Sequence, residues 1–312
     1  MKIVILGYNG LIGNSILDHL NKIKSFSVIC VARNIKYKPY INSRTKYYKW
    51  NFTSFKKSNL SFLKKADIVI NCVGKIDEGK KNLRFINFIF IKKFLDHLKS
   101  HKGKLRIIHL SSISVYGRHS SFLGEKKIIN ENSNILTDSI YSKYKFQADL
   151  FIKNMIHKKY NKNLTFTILK KSNVFGGKKK SNLFRLIFFL VNLKLWIKSF
   201  DDVMFNFVSV KDVAQAVFLS ISQLKISRNK IYIISDDVKQ KNLYKKYLGR
   251  KKFFTIKIPI NLVKFVINSM PLPKKILNFL LNISSRVTYD NQKIVDELSF
   301  TPTYSIHKKK FR

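Results

Sequence analysis

The stretch YSKYK places Tyr141 and Lys145 four residues apart, so that a phenol and an ammonium share one face of a helix. An unperturbed tyrosine, with a pKa near 10, is a poor base at neutral pH. An ammonium one turn away favours the phenolate and makes proton exchange with a hydroxyl or carbonyl feasible. The same Tyr-x-x-x-Lys spacing also begins at Tyr247, Tyr289 and Tyr304. In a lysine-rich chain with 14 tyrosines, pairs of this kind arise by chance, so position has to select among them. Some thirty residues before Tyr141 the chain reads HLSSISVYG (109–117), an apolar run ending in serines. A serine-bearing strand end followed by a tyrosine-bearing helix selects Tyr141/Lys145 and leaves the other three pairs as background.

A second chemical pattern stands at the start. KIVIL (2–6) is a short apolar run that ends at Gly7-Tyr-Asn-Gly10-Leu-Ile-Gly13, before a helical pattern. Glycine at this spacing permits a tight turn, lets backbone approach a pyrophosphate and allows close helix–strand packing. The helix start then offers unpaired N–H groups to phosphates. Strand–turn–helix context makes this a dinucleotide site. The second strand ends in Val31-Ala32-Arg33-Asn34, without the carboxylate that bonds ribose hydroxyls in NAD sites. Arg33, with Asn34 and Lys36, suits a 2′-phosphate, so NADP is favoured over NAD. Stacking of Arg33 on the adenine of NAD stays open as the alternative.

These residues need elements to hold them. Strands are expected at 2–6, 26–33, 67–74, 105–112 and 164–172, with helices at 11–23, 82–100 and 138–160. Apolar strands without polar alternation, interleaved with helices, predict a parallel sheet covered on both faces. The fold class is therefore α/β: a Rossmann-type doubly wound parallel sheet with a smaller C-terminal α/β substrate lobe. The division expected is a dinucleotide-binding domain over 1–175 and a substrate lobe over 176–312, with elements around 206–235 returning to the sheet.

The chain has 312 residues and carries 61 basic against 17 acidic side chains, a formal charge of +44. The lysines form no single block, and Lys, Ile, Asn and Phe are abundant throughout, as expected of coding DNA rich in A and T. No RNA-binding aromatic signature or zinc-finger spacing occurs, so no specific nucleic-acid partner is expected. The charge would still suit a phosphate-bearing substrate. Cys30 and Cys72 lie in apolar runs and read as buried thiols of a reducing compartment, and no metal site is expected. The longest apolar stretch, 183–197, is broken by Arg185, Asn192 and Lys194. It falls short of a membrane span and reads as an amphipathic helix in a cytoplasmic protein without a transmembrane segment.

With the glycine turn, NCVG (71–74), SSISVYG (111–117), YSKYK (141–145), SNVFG (172–176), NFVSVKDVAQAV (206–217) and DNQKIVDELSFTP (290–302) in order, the sequence resembles the extended short-chain dehydrogenase/reductase family. These are the NAD(P)-dependent sugar-nucleotide epimerases, dehydratases and reductases. The resemblance implies Ser112, Tyr141 and Lys145 as catalytic residues. Tyr141 would exchange the proton, Lys145 would also bond the nicotinamide ribose, and Ser112 would hold the reacting oxygen. It implies cofactor contacts from Gly7, Asn9, Gly10, Leu11, Ile12, Gly13, Arg33, Asn34, Cys72, Val73, Gly74, Asn87, Tyr141 and Lys145. Substrate contacts would come from Ser112, Ser114 and Asn173. Ser112-Ile113-Ser114 stands where the family's dehydratases carry Thr-Asp-Glu, which argues against dehydration. Lys170-Lys171 stands where the family commonly has a phosphate-side arginine, keeping charge without the bidentate grip.

The resemblance therefore implies an epimerase or keto-reductase acting on a nucleotide-linked sugar in surface-polysaccharide synthesis. It also implies a homodimer through the helices at 82–100 and 138–160, the former reading as too apolar all round to keep a solvated face. The alternatives are a catalytically silent dinucleotide-binding sensor or scaffold, which the intact Ser112, Tyr141 and Lys145 argue against, and an RNA-associated family member. His109 reads as a core histidine and Asp212 as a helix-capping or orienting residue.

Overall fold

The computed structural model describes residues 1–35, 38–52, 60–63, 66–76, 79–98, 101–117, 123–157, 162–176, 189–190, 192–248 and 254–304. The chain opens with β1 (Lys2–Leu6), α1 (Leu11–Leu20), β2 (Ser27–Ala32), β3 (Thr45–Lys49) and β4 (Ile68–Asn71). A helix in two parts follows, α2 (Lys80–Arg84) and α3 (Phe90–Leu98), joined by a π-helical turn (Phe85–Ile89). Next come β5 (Leu105–Ser112), β6 (Lys126–Ile129), α4 (Ile140–His157), β7 (Leu164–Lys171) and β8 (Asn173–Phe175). The remainder is β9 (Leu195–Lys198), β10 (Met204–Phe205), β11 (Phe207–Ser209), α5 (Val210–Ser222), β12 (Lys230–Ile234) and β13 (Val238–Lys239). It ends with α6 (Gln240–Leu248), β14 (Phe254–Lys257), α7 (Ile260–Ser269), α8 (Lys274–Ile283), β15 (Arg286–Tyr289) and α9 (Gln292–Leu298).

Seven strands form one sheet in the order β12-β7-β5-β4-β1-β2-β3, all pairs parallel. This is the doubly wound Rossmann arrangement, with the strand order reversing between β1 and β4. Residues alternate between two cores. Ile3 and Ile5 pack on the α1/α5 side, while Val4 and Leu6 pack on the α3/α4 side. Both faces are buried, which is why β1 shows no polar alternation.

Three features depart from the sequence reading. The edge strand β3, TKYYK, was not expected; its polar residues belong to an edge with one open side. The 82–100 helix contains a π-helical turn, and it does keep a solvated face, since Lys92 and Lys93 are exposed while Phe90, Ile91, Phe94, Leu95 and Leu98 are buried. The amphipathic helix expected at 183–197 is corrected at its end, where Leu195, Trp196 and Ile197 belong to β9 and pair with β14. β-branched and aromatic neighbours favour an extended chain there. Most of 183–191 and Lys36 lie outside the described residues. No helix among the described residues is long and apolar enough to cross a membrane.

Candidate functional site at the carboxyl edge of the sheet

The glycine turn owes its shape to two contacts. Gly7 has φ +83°, a left-handed conformation, and its N–H donates to Val31 O at 2.8 Å. A Cβ on Gly13 would lie 2.3 Å from Gly7 O, so α1 can cross the end of β1 this closely only with glycine there. Gly10 caps α1 without any side-chain hydrogen bond, leaving the first-turn N–H groups of Leu11 and Ile12 to face an anion. Asn9 Nδ2 donates to Asn34 O at 3.2 Å, which ties the turn after β1 to the turn after β2. Arg33 and Asn34 are exposed beside it.

After β4, Asn71 Oδ1 accepts the Val73 N–H at 3.1 Å and Cys72 N–H donates to Leu6 O at 3.0 Å. Asn87, on the π-helical turn, fixes the next residue: its Oδ1 accepts from Lys75 N–H at 3.2 Å and its Nδ2 donates to Lys75 O at 2.9 Å. Gly74 lies between these groups. A Cβ there would stand 3.1 Å from Lys145 Nζ and 3.3 Å from Asn87 Oδ1. The loop therefore passes between these two groups as bare backbone, and the glycine turn, Gly74 and Lys145 together fit a dinucleotide.

Helix α4 is started by a reciprocal serine cap. Ser142 N–H donates to Ser139 Oγ at 3.1 Å, and Ser139 N–H donates to Ser142 Oγ at 3.0 Å. This sets the first turn, which carries Tyr141, 8% exposed. One turn on, Lys145 Nζ donates to Leu110 O at 3.0 Å, two residues before Ser112 on β5. Burial brings the Lys145 ammonium down to about 8, partly opposed by the Asp149 charge. Ser112 Oγ accepts from the Ser114 N–H at 3.2 Å and from Ser114 Oγ at 3.0 Å, capping the 3₁₀ turn at 113–116. Lys145 on α4 thus lies beside both Gly74, after β4, and the end of β5, whose last residue is Ser112; Ser114 follows in the 3₁₀ turn, and Tyr141 stands one turn before Lys145 on α4. Asn173 is exposed at the start of β8, where its N–H donates to Asn206 O at 3.3 Å. Of the competing tyrosines, Tyr289 is buried with its hydroxyl donating to Gly117 O at 3.4 Å.

Beneath this edge lies a buried polar network that the sequence reading missed. Ser111 Oγ donates to Asp149 Oδ2 at 2.7 Å, and His109 Nε2 stands 3.6 Å from Asp149 Oδ1. The Asn71 amide is oriented by Val73, so its Nδ2 donates to His109 Nδ1 at 3.0 Å and the histidine proton faces Asp149. Burial keeps His109 neutral, well below its usual pKa, and raises Asp149 to about 6 against the pull of Lys170, Ser111 and Lys145. Asp149 was findable, being four residues beyond Lys145 on the same helical face.

Lys170 corrects an expectation. It is not on a phosphate side but buried, its Nζ donating to Tyr116 OH at 2.9 Å. Its neighbour Lys171 points to the opposite face, in register with Ser112, and burial near Lys145 lowers it to about 8. Burial also raises the Cys72 thiol to about 12, so it is no nucleophile. Asp212 accepts the Thr303 N–H at 2.9 Å and orients the last described residues, while Ser209 caps α5.

A sequence model of the NAD dependent epimerase/dehydratase family matches residues 3–235. Among solved structures, the chain is similar to UDP-glucuronic acid 4-epimerase from Bacillus cereus in complex with NAD. The identity is 18%, the TM-score 0.71, and the match covers 98% of this chain and 93% of that one. It is also similar to UDP-glucose 4-epimerase with UDP-glucose from the hyperthermophilic eubacterium Thermotoga maritima. There the identity is 17%, the TM-score 0.71, and coverage 99% and 96%. At these identities the likeness carries the fold. No curated protein matches the chain in sequence.

Proposed function

Because the chain belongs to the NAD dependent epimerase/dehydratase family, within the extended short-chain dehydrogenases/reductases, we propose that it is a nicotinamide-dependent epimerase of a nucleotide-linked sugar. The observation that carries this reading is the placing of Lys145 between Gly74 and the end of β5, on the helix that bears Tyr141. When bound, the nicotinamide supplies the acceptor and donor of a hydride. Tyr141 takes the proton from the sugar hydroxyl as that hydride leaves and returns it on reduction. The Lys145 ammonium favours the phenolate form and bonds the ribose, and Ser112 holds the reacting oxygen. Ser114 and Asn173 complete the substrate contacts. The solved relatives named above hold NAD or a UDP-sugar, which supports this ligand class for the present chain.

A single-pass keto-sugar reductase is the second reading, and Arg33 favours it. No carboxylate follows β2, and an exposed guanidinium beside Asn34 suits the 2′-phosphate of NADP, the cofactor we favour over NAD. Ser112-Ile113-Ser114 offers no acid pair for dehydration. A homodimer through α4 and the π-helical turn would cover the half-buried Phe85, Phe88 and Phe151. Surface-polysaccharide synthesis is the setting implied by resemblance.

The test is to denature the purified protein, identify any dinucleotide released, and titrate wild type and Tyr141→Phe with NADPH and NADH. Tightly held NAD supports the epimerase, whereas an empty site preferring NADPH supports the reductase. Tyr141→Phe should bind dinucleotide normally and lose at least about a hundredfold in turnover of UDP-sugars. Unchanged turnover in this variant would remove Tyr141 from the mechanism.

A further inference from the structure

Between Asp237 and Asp290 the chain has no acidic residue and twelve lysines or arginines. The same stretch is where apolar side chains are least covered. Phe254 is 70% exposed, Ile256 39%, Leu262 52%, Phe265 65%, Met270 57% and Ile276 48%. Helix α7 buries only Val263 among its ten residues. Leu262 and Phe265, three apart, share its outer face. All four residues of β14 are exposed, and Phe254 and Ile256 point to one side of it. The patch extends across the β9–β14 pair, where Phe254 N–H donates to Lys194 O at 2.8 Å beside Leu193, itself 57% exposed. Exposed Lys257 and Lys264 lie among these side chains.

Single exposed apolar residues are ordinary, but this many large ones on consecutive elements, β14 and α7, suit a docking surface. Its occupant is indicated by charge. Asp201, paired with Lys198 and near Lys257, is a carboxylate beside the patch, but the lysines outnumber it. An apolar face interleaved with an excess of lysines is matched by a surface that is apolar below and anionic above. A second copy of this chain would bring the same excess of lysines together. We infer that β14, α7 and the turn into α8 dock on an anionic lipid bilayer, with Leu262 and Phe265 entering the acyl boundary and Lys257 and Lys264 meeting headgroup phosphates. The enzyme would then work at a membrane surface as a peripheral protein. This inference is independent of the reaction proposed above.

The test is co-sedimentation of the full chain at about 0.15 M salt with vesicles of phosphatidylcholine alone, and of phosphatidylcholine mixed with phosphatidylglycerol. The variants are Leu262→Ser/Phe265→Ser and, as an apolar control elsewhere on the surface, Ile41→Ser. Wild type and Ile41→Ser should bind the anionic vesicles, and the double variant at least about tenfold more weakly with an unchanged melting curve. Equal binding of the double variant would mean that net charge alone attracts the chain, and would overturn the proposal. So would wild type remaining in the supernatant. A wild-type dimer that the double variant splits, with neither protein on vesicles, would assign the patch to a second copy.

Discussion

Asp149 sits where it can set the charge of Lys145 without touching a ligand. Its carboxylate favours the buried ammonium, which burial alone would push lower than about 8. Asp149→Asn keeps an acceptor for Ser111 Oγ but removes the charge, so the Lys145 pKa should fall further. The proposed chemistry needs the ammonium, present only below that pKa. The alkaline limb of the pH–rate profile should therefore move to lower pH by about one unit. A fall in stability with an unmoved limb would make Asp149 merely structural. The carboxyl itself has the opposite linkage. Its folded pKa, about 6, exceeds the usual 3.8, so the folded state binds the extra proton and stability declines as pH rises through that window. Asp149→Asn should flatten that decline. The Tyr141/Lys145 spacing was legible because one helix contains both residues. The Asn71–His109–Asp149–Ser111 network joins three elements distant in sequence, and no local pattern announces it.

At the level of elements, the parallel strands were readable because two-sided burial removes polar alternation, as in β4 and β5, where every residue is buried. β3 was not, since an edge strand of Lys and Tyr reads like loop. The π-helical turn was equally hidden, because its purpose is tertiary: it turns Asn87 toward the backbone of Lys75. That turn, the end of β4 and α4 meet at Gly74, so the element geometry can be tested there. Gly74→Ala would force Lys145 Nζ or Asn87 Oδ1 to give by a few tenths of an ångström. The easier movement takes Lys145 off Leu110 O, since a lysine end is more flexible than a bonded amide. Dinucleotide affinity should drop about tenfold while stability falls by less than about 1 kcal/mol. Unchanged affinity, measured by titration, would mean that the ligand does not pass over this loop.

On the scale of the whole molecule, the charge of +44 comes from lysines and arginines spread along the whole chain. Few carboxylates oppose it. Ion pairs joining Lys or Arg to an acid include Lys198–Asp201, Lys230–Glu297 and Arg286–Asp202. Only the last is a bidentate fork, with both contacts at 2.8 Å. Exposed pairs contribute little, about 0–1 kcal/mol each, while unopposed lysines repel one another throughout the fold. Self-repulsion between exposed charges is screened beyond about 10 Å at 0.1 M salt. The melting temperature should therefore rise by several degrees between low and moderate sodium chloride. Because sulfate also strengthens apolar burial, chloride is the salt that isolates the charge term. A melting temperature that falls with added chloride would mean that the ion pairs outweigh the repulsion. The same titration bears on the RNA-associated alternative. Attachment to RNA through general charge should vanish at physiological salt, and retention there would require a specific surface.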